Sequence, residues 1–225
     1  MLPKDEAYEE YLYEKTVECP VCQAKFKTPS VKISAQRILK KDSDFQIYYK
    51  SINPYFYDVW ICNSCGYAAL KIDFPNIKSY QKEIVLKQIT TRWKERDYGK
   101  IYNENIAIER YKLGLLTAMV IESKSSTKAM ILLKIAWMNR LLGKVEEEKN
   151  YLKEALKAFL KAYEVEDSNF YGMDRYTVMY LIGELYRKTD NNMEALKWFG
   201  EVITSSLAPQ KIKELARTQK DLIKK

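Results

Sequence analysis

The spacing of apolar positions changes near residue 76. Before it, Phe45-Gln-Ile-Tyr-Tyr49 and Tyr57-Asp-Val-Trp-Ile61 alternate and are rich in aromatic and β-branched types, which predicts strands. Tyr13–Glu18 alternates more loosely, Lys25-Phe26-Lys27 follows, and Asn53-Pro54 marks a turn. Beyond residue 76, Ile77, Tyr80, Ile84, Ile89 and Trp93 recur at three- to five-residue steps, as on one helix face. The pattern predicts helices over 76–97, 104–122, 128–142, 146–165, 173–188, 192–206 and 210–223, with Pro75 at the first start and Asn76 as its cap. Met130–Met138 is apolar nearly all round and belongs inside a helical array. In the last helix Ile212, Leu215, Ala216, Leu222 and Ile223 share a side opposite lysines, as a terminal cap should.

A period emerges over 176–209. Counted from Tyr176, Met179, Ile182, Gly183, Tyr186, Ala195 and Phe199 fall where the 34-residue tetratricopeptide helix-turn-helix unit places small and aromatic residues. Val202 stands where a small residue is usual, and Pro209 comes late. Ala155, Phe159 and Ala162 echo the second helix, and Ala107, Tyr111 and Gly114 form a degenerate third copy. The expectation is a mostly α protein. A small β-rich module (1–75) precedes an all-α, tetratricopeptide-like array of helical hairpins (76–225) ending in a capping helix.

The chemistry sits in four cysteines, Cys19-Pro-Val-Cys22 and Cys62-Asn-Ser-Cys65, which are all the cysteine in the chain. Two Cys-x-x-Cys hooks supply the four sulfurs of a structural zinc site. Iron in a rubredoxin-like site uses the same ligands and stays an alternative. Gly66 stands after the second hook, where a turn around sulfur favours positive φ; the first hook has Gln23 there. A redox Cys-x-x-Cys needs one hook leading into a helix, whereas Lys25–Thr28 runs on toward Pro29.

Composition narrows the rest. Of 225 residues 47% are hydrophobic, enough for a packed core. No apolar run approaches 18 residues, and the start MLPKDEAYEEYLYEK lacks the apolar stretch of a signal peptide, so no membrane partner is expected. Paired thiols as metal ligands suit a reducing compartment, so the expected location is cytoplasmic. Histidine is absent, as are the Gly-x-Ser-x-Gly, Walker and Gly-x-Gly-x-x-Gly patterns, which weighs against an enzyme. Glu146-Glu147-Glu148 reads as a solvated helix start. Asp42 and Asp44 flank a strand and are expected to face water or cap a turn.

The segments 13–28 (YEKTVECPVCQAKFKT), 40–70 and 107–118 (AIERYKLGLLTA) resemble a bacterial family of uncharacterised proteins, domain of unknown function 2225. The resemblance implies a zinc-ribbon-type module followed by tetratricopeptide-like helices and four cysteine ligands. It implies no activity.

Partner recognition rests on two features. In the repeat frame, Thr177, Tyr180, Glu184 and Arg187 of one first helix, and Met130, Leu133, Trp137 and Arg140 of the preceding one, line the concave face. Aromatic and arginine groups there suit a peptide or protein partner; Trp137 and Tyr180 equally suit packing between hairpins. The net charge of +8 resides wholly in 76–225, since 1–75 balances ten basic against ten acidic residues. Basic stretches at 78–100 and 211–225 admit nucleic acid as the alternative partner. The rings of Tyr48, Tyr49, Tyr55, Phe56, Tyr57 and Trp60 could stack on bases, but few lysines are interleaved, so filling a small module or docking on the helices is favoured. The expected role is a non-enzymatic interaction adaptor, with a nucleic-acid-binding accessory protein second.

Overall fold

In the computed structural model, residues 8–166 and 169–223 are described. The N-terminal part is three antiparallel β-hairpins. β1 (Leu12–Glu18) pairs with β2 (Lys25–Val31), β3 (Ile38–Lys41) with β4 (Ile47–Tyr49), and β5 (Val59–Ile61) with β6 (Ala68–Leu70). Register runs Leu12↔Val31 to Glu18↔Lys25 in the first and Val59↔Leu70 to Ile61↔Ala68 in the third. The second is irregular between Ile38 and Lys40. Pro29 lies inside β2, and a two-stranded sheet tolerates its missing N–H.

Seven helices follow among the described residues: α1 (Ser79–Gln88), α2 (Glu104–Val120), α3 (Ser125–Leu141), α4 (Val145–Val165), α5 (Arg175–Lys188), α6 (Asn192–Thr204) and α7 (Gln210–Ile223). Side-chain caps set several starts. Asn103 accepts from the Ile106 N–H at 3.0 Å, Asp174 from Thr177 at 2.7 Å and Asn191 from Glu194 at 3.3 Å. Short connections return the chain, and α3 to α7 pack in sequence, as a tetratricopeptide-like array would. Gly183 of α5 lets the Phe199 ring of α6 come close: an added Cβ would stand 2.8 Å from that ring. α3 is buried on almost every side, as its all-round apolar sequence requires.

One core crosses from strands to helices. Val59, Ile61, Ala68 and Leu70 pack with Ala107 and Tyr111 of α2, and the cluster continues through α3, α4 and α5. The Tyr111 hydroxyl donates to the Tyr55 carbonyl at 2.7 Å, satisfying its polar end inside that core.

Several expectations need correction. The helix expected over 76–97 is only α1; a 3-10 turn at Thr90–Arg92 follows and the chain then runs without regular structure to Asn103. Gln81 and Val85 carry its buried face, while Tyr80 is exposed. The helix ends because its continuation has other partners: the Trp93 ring packs on Gly66, and Tyr98 and Tyr102 flank the buried guanidinium of Arg110 at 5.0 and 4.5 Å. Arg110 in turn donates to the Val59 carbonyl at 2.7 Å, tying α2 to β5. Strands β3 and β6 lie outside the expected elements, and Phe45 belongs to a turn at φ 71° instead of a strand. Leu222 of α7 is exposed, its buried side being Ile212, Ala216 and Gln219. Lys224 and Lys225 of the basic C-terminal stretch lie outside the described residues.

Candidate metal centre and the docked hairpin

Each cysteine hook is the turn of a hairpin, Cys19–Ala24 between β1 and β2 and Cys62–Tyr67 between β5 and β6. The two turns have the same backbone bonds. Cys19 N–H donates to the Ala24 carbonyl (3.0 Å) and Gln23 N–H to that of Cys19 (2.9 Å); Cys62 N–H donates to Tyr67 (2.9 Å) and Gly66 N–H to Cys62 (2.8 Å). The residue after each second cysteine is left-handed, Gln23 at φ 63° and Gly66 at φ 77°. Glycine adopts this freely; glutamine does so at a cost of about 1 kcal/mol.

Pairing the hairpin turns brings the four sulfurs together. Cys19 and Cys65 Sγ are 3.7 Å apart, Cys22 and Cys62 Sγ 3.5 Å, and all four lie within 4.8 Å of one another. Tetrahedral bonds of about 2.3 Å to a central ion put sulfurs roughly 3.8 Å apart, so the residues fit a metal centre with four thiolate ligands. Cys19, Cys62 and Cys65 are buried, and Val17, Phe26, Trp60, Tyr67 and Phe74 pack around the cluster. Cys62 is held low by hydrogen bonds from Cys19 and Cys65, while Cys19 is pushed up as the proton-holding partner of Cys62. A divalent cation would replace those protons and offset half of the four thiolate charges. Four sulfurs close a tetrahedral shell, which is the arrangement of a structural site.

The second hook is clamped from outside. Thr90 Oγ1 donates to the Cys65 carbonyl at 2.8 Å, Trp93 Nε1 to the Asn63 carbonyl at 2.6 Å, and Asn63 Nδ2 to the Arg96 carbonyl at 3.1 Å. A Cβ on Gly66 would stand 2.6 Å from the Trp93 ring. Gly66 is therefore needed for its φ and for that ring.

The third hairpin, β3 and β4, carries no cysteine. Its tip, Asp42–Gln46, rests on α3 and α5, against the residues expected to bind a partner. Arg140 Nη1 and Nη2 donate to the two Asp44 oxygens at 3.0 and 2.5 Å, and Nη1 also reaches Asp42 (3.1 Å) and Gln46 Oε1 (2.8 Å). Trp137 Nε1 points at Asp44 Oδ2 (3.3 Å). Tyr180 Oη donates to the Ser43 carbonyl (2.8 Å), and Ser43 Oγ donates to Glu184 (2.5 Å). Arg187 grips Glu184 with two bonds of 2.7 Å. Trp137, Arg140, Tyr180, Glu184 and Arg187 thus meet one segment of their own chain, directly or through Glu184. Asp44 and Glu184 are 0% exposed, so of the two expectations for Asp44, facing water is corrected, while its Oδ1 lies 3.5 Å from the Gln46 N–H across the turn. Burial opposes the Asp44 charge, yet Arg140 and Lys188 hold its pKa below the ordinary carboxylate value.

Sequence reasoning missed this tip because its partners lie more than 90 residues away; the signal available was a pair of acids around serine followed by phenylalanine, between two strand-like runs. Aromatic residues next to it face inward. Tyr55 meets Trp137 at 5.2 Å between ring centres, and Tyr57 stacks on Tyr102 at 4.7 Å.

Comparison with known proteins gives a family and no activity. An uncharacterized protein of Borreliella burgdorferi is 24% identical over 162 residues, which cover 63% of this chain and 57% of that relative, so the match spans little more than half of the relative's length. No solved structure matches. The family model described as uncharacterized protein conserved in bacteria (DUF2225) matches residues 12–223. The chain belongs to the DUF2225 family of bacterial proteins.

Proposed function

We propose that this protein is a non-enzymatic interaction adaptor, with a structural zinc ion in the 1–75 module and a peptide-binding concave face on the 76–225 helical array. The observation that carries the reading is the grip of α3 and α5 on Asp42–Gln46. Arginine and aromatic groups already hold the acidic turn of a hairpin there, and such groups are the chemistry of a peptide-binding face. Zinc is favoured over iron because four thiolates bind zinc(II) more tightly than iron(II) in the usual order of divalent-metal affinity. A thiolate site of this kind is suited to a reducing compartment, which supports a cytoplasmic location.

The test is co-purification of the tagged full chain from its native cells, with and without nuclease. A protein partner retained after nuclease, and lost when Tyr180→Ala disturbs the face, supports the adaptor. Recovery of nucleic acid, or partners released by nuclease, supports instead a nucleic-acid-binding accessory role for the basic stretches at 78–100 and 211–225.

A further inference from the structure

The hairpin tip covers Trp137, Arg140, Tyr180 and Glu184 on α3 and α5. Beside it lies an open cavity of about 510 Å³ between α3, α5, α7 and the tip. This volume is in the range of ligand pockets. Its lining mixes apolar side chains, Met130 and Leu133 from α3, Leu181 from α5 and Leu215 from α7 with Met173 and Phe45, and polar ones that include Asp44 and Asp58. Leu133 and Leu181 are covered by their neighbours, so the apolar surface open to the cavity comes from Leu215 and Phe45 and the edges of Met130 and Met173.

Charge distinguishes the mouth. Four lysines border the cavity, Lys41, Lys71, Lys134 and Lys211. Lys71 and Lys134 both pair with Asp58. Lys41, from the end of β3, and Lys211, from the first turn of α7, have no carboxylate within ion-pair distance among the described residues; Lys40, by contrast, reaches Asp42. Both line this one cavity. Partial burial and then the charge of Lys211 lower the Lys41 pKa. The Lys41 ammonium sits 4.4 Å from the centre of the Phe45 ring, so the unpaired charge is directed along the cavity wall.

The docked tip shows what these side chains accept. Asp44 puts its carboxylate on Arg140, and the next residue, Phe45, turns its ring onto Tyr180 at 5.4 Å and borders the cavity. An acid beside a bulky apolar side chain is thus held by a cation and an apolar wall. The cavity presents the same two elements, and its own acids, Asp44 and Asp58, are already paired with Arg140 and with Lys71 and Lys134.

We infer that the cavity is a second recognition subsite on this face. It takes from a protein partner an acidic residue adjoining a large apolar one, the carboxylate at Lys41 and Lys211 and the apolar group against Phe45, Met130 and Leu215. The inference rests on the adaptor reading and specifies the partner's chemistry. A neutral apolar segment would leave the lysine pair uncompensated, and an acidic segment without an apolar neighbour would leave the walls wet.

The probes are fluorescein-labelled pentapeptides, blocked at both ends and centred on Asp-Leu, Asn-Leu or Asp-Ser, titrated by anisotropy at low salt against the metal-loaded full chain. The Asp-Leu peptide should bind best, the other two at least about tenfold more weakly, since a charge-assisted hydrogen bond contributes about that much. The pair Lys41→Ala and Lys211→Ala should reduce Asp-Leu binding by about tenfold or more while the melting temperature stays the same or rises, because mutual repulsion is removed. Leu215→Ala should weaken Asp-Leu and leave Asp-Ser unchanged. No binding, equal binding of Asp-Leu and Asn-Leu, or indifference to the lysine pair overturns the subsite. A natural partner retained in full by the Lys41→Glu, Lys211→Glu variant also overturns it and leaves the adaptor standing. Absence of any protein partner in the nuclease experiment removes the adaptor reading.

Discussion

Arg140 of α3 holds both carboxylate oxygens of Asp44, a residue 96 positions earlier, at the tip of a β-hairpin. Neither side chain is free in water: Asp44 is fully buried and Arg140 is 14% exposed. The pair joins the β-rich part to the helical array at a second place, away from the packing of β5 and β6 on α2.

Breaking that pair should cost more than removing it. Arg140→Met leaves a buried carboxylate with Trp137, a long bond from the Gln46 N–H and the more distant Lys188, and is expected to destabilise by about 3–5 kcal/mol. Adding Asp44→Asn should recover a large share of the loss. A double-mutant cycle by urea unfolding checks this; additive effects would mean that the tip is held by its aromatic contacts instead.

Acid should release the metal before the hairpin. Protons compete for thiolates, so metal affinity falls from neutrality downward. Asp44 behaves otherwise. Its folded pKa lies below the unfolded value, so its contribution is fully present above the unfolded pKa and is lost only as pH falls through the folded one, below about pH 4. A chelating dye follows the metal and the Trp137 indole N–H resonance follows the tip. Simultaneous loss would show that the two sites unfold together.

Cys19→Ser or Cys62→Ser should abolish metal binding and lower the stability of the β-rich part, while most far-UV helical signal survives. One metal per chain is expected, by elemental analysis of the purified protein. Metal retained at full stoichiometry in both variants would remove these sulfurs from the ligand set.

The two hooks should respond oppositely at equivalent positions. Gly66→Ala forces an L side chain to φ 77° and sets its Cβ against Trp93, with an expected loss of about 2–4 kcal/mol. Gln23→Gly relieves a φ of 63° and should be neutral or stabilising by up to about 1 kcal/mol. Thermal melts of the metal-loaded proteins provide the comparison.

Local chemistry is what could be read along the chain. Two Cys-x-x-Cys hooks specify a four-sulfur cluster because spacing alone aims both sulfurs of a hook at one point. The 3.6-residue periodicity located α2 to α7, and caps such as Asp174 and Asn191 act within one turn of themselves. The end of α1, the strand at Ala68-Ala69-Leu70 and the docking of Asp44 were not readable that way. α1 stops at Gln88 because Trp93 and Tyr98 have partners on the hook and on Arg110; Ala68–Leu70 is extended because β5 and α2 receive it. Asp44 reads as a surface acid until folding brings Arg140 to it. Each of these three depends on contacts between residues far apart in sequence, and the free energy of such contacts overrides local preference only once the distant groups have met.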